Sequence, residues 1–144
     1  MKNILVSIDF NKNEKLLIDK ALQLAKPFDS KLWLIHITAP EPAFVGYEVG
    51  PQNVRDWRAS ELKKEHKLIE EYTTKLKEKG VEVEGLLIEG ATIETVLEEA
   101  KKLKVDLIIV GHHKHNFLYK AFVESISSGI IKKSKIPVLL VPLE

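Results

Sequence analysis

The sequence has no cysteine, which excludes a disulfide framework, a thiolate metal site and a cysteine nucleophile. A reducing, cytoplasmic setting fits that absence. It also has no apolar run near the roughly 20 residues that span a bilayer, and its start, MKNILVSIDF, lacks the longer apolar stretch of a signal peptide. Neither membrane insertion nor secretion is expected. Charge of one sign is missing too: 22 Lys and Arg stand against 21 Asp and Glu, a net charge of +1, too balanced for the basic field that nucleic-acid binding relies on. No nucleic-acid partner is implied. What remains is 144 residues, 44% hydrophobic and 30% charged, the length and composition of one globular domain covering residues 1–144.

Five apolar runs carry β character: Ile4 to Ile8, Leu32 to Ile37, Val81 to Ile88, Val105 to Val110 and Val138 to Val141. Four are nearly continuous, as in parallel strands covered on both faces. The third begins Val81-Glu82-Val83-Glu84, an alternation that leaves one face wet, so it is expected at a sheet edge. Between the runs the apolar period becomes helical. Ile93, Val96, Leu97, Ala100 and Leu103 make one stripe, with Thr92 expected as its N-cap; Leu17, Ala21, Leu24 and Phe28 make another, which Pro27 should end. A longer helix is expected over 53–79, with Leu62, Ile69, Tyr72 and Leu76 on its buried side and Gly80 as its C-cap, and a last one over Ser125 to Ser134. Trp57 and Val54, near the start of the long helix, read either as an interaction face or as ordinary packing, with packing the favoured reading. The Pro- and Gly-rich stretch Thr38 to Gln52 is expected to be neither helix nor strand. The order β-α-β-α-β-α-β-α-β predicts a single-domain, doubly wound α/β fold with a parallel sheet and helices on both faces. In such folds ligands sit beyond the strand C-termini where the strand order reverses, here after Ile8, Ile37 or Val110.

Three segments, NILVSID, VDLIIVGHH and SGIIKKSKIPVLLVPL, match in order and spacing those of the universal stress proteins, and the chain resembles that family over essentially its whole length. The resemblance implies a five-stranded sheet of order 3-2-1-4-5, a homodimer through the last strand, and ATP binding in many members. It further implies that Asp9 contacts the adenine or ribose region and that the backbone at Ile37 reads adenine. Taken without the resemblance, Asp9 also reads as an N-cap or turn acid ahead of Asn11 and Asn13. The ATP-binding members carry a glycine, two residues, a second glycine, nine residues, then Gly-Ser or Gly-Thr. Gly111 and Ser125 keep the first and last positions, but Lys114 and Glu124 replace the two inner glycines. Both add a side chain where backbone must approach phosphate. Glu124 adds a carboxylate at a helix N-terminus, and two like charges about 4 Å apart interact by roughly 4 kcal/mol at an effective dielectric near 20.

A subgroup that lacks these glycines and shows Gly-His-His, as Gly111-His112-His113 does, is not thought to bind ATP, whereas Ala39 to Tyr47 and the long helix after it look like the nucleotide-binding members. The two cues point in opposite directions. The expected site is therefore a remnant nucleotide pocket made of Asp9, Ile37, Gly111, His112, His113, Lys114, Glu124 and Ser125. It should serve a binding or regulatory module and no turnover chemistry, with ATP held weakly if at all. The alternative is an ATP-dependent switch or weak ATPase.

Other chemistries fare worse. His112, His113 and His115 are a loop run that converges poorly on one ion, so no metal is expected, and His36 reads as a satisfied core histidine. Ser125 and Ser127 lack a nucleophile elbow. A phosphorylated receiver would need an acidic pair after the first strand and an Asp after the third, where Asp9 and Glu89 stand. Val138 to Val141, apolar yet at a sheet edge and bounded by Pro137 and Pro142, is the expected dimer strand.

Overall fold

The computed structural model describes residues 1–10, 12–38, 52–113 and 126–143, with the backbone alone for 52–55. Nine elements follow in order: β1 (Asn3–Ser7), α1 (Glu14–Phe28), β2 (Lys31–Thr38), α2 (Gln52–Glu78), β3 (Val83–Glu89), α3 (Thr92–Lys102), β4 (Leu107–His112), α4 (Ile126–Lys133) and β5 (Val138–Pro142). The strands form one parallel sheet in the order β3-β2-β1-β4-β5. The expected fold and strand order are both met, and β3 lies at an edge. Among the described residues no helix is long and apolar enough to cross a membrane.

Alternation along the inner strands splits the interior in two. Ile4 and Val6 of β1 with Leu32 and Leu34 of β2 face α1 and α2, where Leu17, Ala21, Ile69 and Leu76 meet them. Leu5, Ile35, Ile37, Ile108 and Val110 face α3 and α4, and pack on Val96, Ala100 and Ile130. Strands buried on both faces must be apolar at consecutive positions, which is why β1, β2 and β4 read as continuous runs. The edge strand β3 buries Val81 and Val83 around it and exposes Glu82 and Glu84, whose carboxylates lie 3.6 and 3.0 Å from Lys31 Nζ.

Three helices stop in the same way. After α2, the Gly80 N–H donates to Lys77 O and the Val81 N–H to Leu76 O, with Gly80 at φ 84°. This is the Schellman arrangement, and it confirms Gly80 as the terminator. Asp29 after α1 and Lys104 after α3 take the same left-handed place, both at φ 52°. Pro27 therefore sits inside α1 as its penultimate residue, and the left-handed Asp29 ends the helix. Thr92 also differs from expectation: it is the first helical residue, and Ala91, with no side-chain bond to give, holds the cap position. In that first turn the Glu94 carboxylate is held below its usual range by its own backbone N–H and by Lys133 of α4. Trp57 is 62% exposed, so it is not core packing.

Candidate functional site

The strand order reverses between β1 and β4, and a cavity of about 80 Å3 opens there beyond their C-terminal ends. Ser7 at the end of β1 and Ile8 and Asp9 just after it line the cavity, with His36 and Ile37 from β2 and Val110 and Gly111 from β4. Thr92 and Ile126, the first residues of α3 and α4, close one side, with Leu17 and Leu143 completing the wall. The structure thus brings Asp9, Ile37 and Gly111 together. His112 and His113 continue from Gly111, half-buried and outside the lining, while Lys114, Glu124 and Ser125 lie outside the described residues. So does His115.

Gly111 has a role that its spacing did not reveal. A Cβ built there would collide with the side chain of Leu143, which is 2% exposed. The end of the chain is fastened at this point: the Leu143 N–H donates to His112 O at 2.9 Å, and its carbonyl accepts from Asn13 Nδ2 at 2.5 Å. Asn13, at the N-cap of α1, makes no side-chain bond to its own helix. The close approach of backbone for which Gly111 is needed here is to Leu143.

His36 is half-buried in the cavity wall, with each ring nitrogen facing an oxygen atom. A carbonyl can only accept, so Nδ1 carries the proton toward Ile8 O at 2.9 Å, and Nε2 lies 3.5 Å from Glu65 Oε1 of α2. The Phe10 ring packs on it with centroids 4.4 Å apart and reaches Tyr72 of α2 at 6.2 Å, nearly parallel. Phe10 has φ 61°, the left-handed region that bulky residues rarely enter. The turn it makes is closed by Glu14 Oε1, which accepts the Asp9 N–H at 2.7 Å. Burial, then the charges of Glu14, Glu71 and Asp9, push the Tyr72 phenol up. Neither Glu14 nor Glu65 stands out in the sequence, where both read as solvated helix acids. Among the described residues no group of three or more His, Asp or Glu is placed to hold a metal ion.

Residues 1–142 match the Universal stress protein family. The chain belongs to the universal stress protein family. Universal stress protein YxiE of Bacillus subtilis is 30% identical over 143 residues, spanning 96% of this chain and 97% of its own. Among solved structures, a universal stress protein in complex with cAMP superposes with a TM-score of 0.72 at 20% identity, covering 99% of this chain and 98% of that one. A universal stress protein family member from Arabidopsis thaliana with AMP bound gives 0.70 at 20% identity, over 99% and 92%. These two likenesses establish a shared fold with the chain described above.

Proposed function

We propose that this universal stress protein is a cytoplasmic, dimeric binding module whose cavity takes the nucleoside part of an adenine nucleotide and whose phosphate end is weakened. The observation that carries this reading is the cavity's place, at the reversal point between β1 and β4, where this fold class seats ligands. Its walls suit a purine: Ile37, Val110 and Ile126 offer apolar surface, and the exposed Asp9 carboxylate can accept from ribose hydroxyls. The described walls enclose about 80 Å3, well under the roughly 300 Å3 of a small-molecule pocket. That suffices for part of a base or sugar. Segments 39–51 and 114–125, which lead away from the ends of β2 and β4, would have to supply the rest. The relatives solved with cAMP and with AMP support an adenine ligand. No step of bond making is assigned to any residue, and binding alone is the activity.

Lys114 and Glu124 stand in the sequence where the family's motif has two glycines, and a side chain at each, with a carboxylate at Glu124, would disfavour phosphate, so MgATP should bind in the high micromolar range or weaker. Restoring both, Lys114→Gly with Glu124→Gly, should tighten MgATP by at least about tenfold, roughly 1.4 kcal/mol, in calorimetry. Low micromolar binding by the wild type, or copurification with ATP, would favour the nucleotide-switch alternative instead.

A further inference from the structure

Glu14 is an anomaly of burial. It opens α1 at 1% exposure, though an acid in the first turn of a helix gains from the helix dipole while staying in water and has no need of the interior. Burying a carboxylate is costly unless hydrogen bonds to its charged form compensate. One such bond comes from the Asp9 N–H at 2.7 Å, five residues back, across the turn in which Phe10 is held left-handed. The acid therefore reaches out of its own helix to Asp9, two residues past the end of β1 in the cavity wall. Asp9 is exposed and lines that cavity, so Glu14 holds the backbone amide of a residue whose side chain is open to a ligand.

We propose that Glu14 is a positioning residue: its buried carboxylate clamps the Asp9 amide and so aims the Asp9 carboxylate into the cavity, at a hydroxyl or amino donor of the ligand. The aiming of Asp9 toward a ligand rests on the nucleoside-binding reading; the clamp itself does not. A second contact borders the turn: the Phe10 ring stacks near Tyr72 of α2, whose phenol is raised by burial first and then by the Glu14 charge among others. The same linkage supplies an independent signal of whether the charge is present.

Three variants separate reach from charge: Glu14→Gln keeps the acceptor oxygen without the charge, Glu14→Asp keeps the charge with a shorter arm, and Glu14→Ala removes both. The readouts are hydrogen exchange at the Asp9 amide, AMP affinity by calorimetry, and the alkaline titration of Tyr72 by absorbance. Glu14→Ala and Glu14→Asp should each speed Asp9 exchange and weaken AMP by about tenfold, the order expected for one lost charge-assisted bond. Glu14→Gln should recover most of both losses. Tyr72 should titrate lower in the Gln and Ala variants and stay high in Glu14→Asp, a pattern that general loosening of the fold does not produce. Unchanged Asp9 exchange and AMP affinity in a folded Glu14→Asp or Glu14→Ala overturns the clamp. If the wild type binds no AMP, the nucleoside reading and the aiming of Asp9 toward it fall together, while Asp9 exchange still decides whether Glu14 holds the turn.

Discussion

Lys104 carries a full side chain in the left-handed conformation that Gly80 occupies at no steric cost, and both serve as helix terminators. A side chain there costs about 1–2 kcal/mol. Lys104→Gly should therefore raise the urea midpoint by the equivalent of about 1 kcal/mol, with part of the gain offset by the freer unfolded chain. Asp29→Gly should gain less, since short polar side chains tolerate this region. Asp106 acts through charge. Its Oδ2 accepts the N–H groups of Asn3 at 3.0 Å and Lys2 at 2.8 Å, and these amides hold its carboxyl below the usual range. A folded-state value below the unfolded one means that its contribution is complete above about pH 4 and is lost as pH falls through the folded value. Urea titrations between pH 6 and 2.5 should show Asp106→Asn less stable at pH 6 and less sensitive to acid. Equal pH slopes would show that the two amides do not depend on that charge. Residues of this kind are hard to read from sequence. Asp106 looks like a solvated turn acid and Glu14 like a helix-dipole acid, and what distinguishes them is which distant or neighbouring amide the fold brings within 3 Å.

At the level of whole elements, one-dimensional pattern carries much further. Three of the four continuous apolar runs became the inner strands β1, β2 and β4 because burial on both faces demands them, the fourth became the edge strand β5, and the alternation at Val81 to Glu84 marked the other edge because one face there stays wet. Element ends were less legible: Thr92 and Pro27 were read from local preference, whereas the observed termini follow from Ala91 and from Asp29, whose left-handed turn meets the next strand. The long helix α2 was also legible in outline. Ile69 and Leu76 are buried as its stripe implies, with Tyr72 half-buried between them, but the reason it lies so close to the sheet is a glycine on the other side of the contact. A Cβ on Gly85 of β3 would come within 3.0 Å of Ile69 Cγ1 and 3.2 Å of Thr73 Cγ2. Gly85→Val should push α2 outward and destabilise by about 1–3 kcal/mol, the usual cost of overpacking. Because Glu65 of the same helix faces His36, the displacement should also show as a changed His36 ring resonance by NMR. A stable variant with an unmoved His36 signal would mean that α2 adapts locally at Ile69.

For the molecule as a whole, the open question is what covers β5. Among the described residues it pairs with β4 alone, so its outer row of N–H and C=O groups has no strand beside it there, yet its sequence is Val138-Leu139-Leu140-Val141. An exposed apolar edge strand is a template for another chain unless something protects it. Pro142 lies at its end, which limits any ladder to a few residues. Leu140 is 38% exposed, and α4, which packs beside β5, exposes Ile126 at 40% and Ile131 at 50%. With a net charge of only +1, long-range repulsion between two copies is weak. A two-fold pairing of β5 with its own copy would satisfy the edge and bring Leu140 of each copy under cover. Light scattering after size exclusion should therefore give about twice the 16.4 kDa of one chain. Leu140→Glu places two like charges near the two-fold axis and should shift the species to one chain while the far-ultraviolet circular dichroism stays that of the folded protein. A wild type that runs as a single chain at tens of micromolar would rule out this edge as the interface. So would a Leu140→Glu variant that stays paired, since the contact would then have to lie elsewhere on the surface.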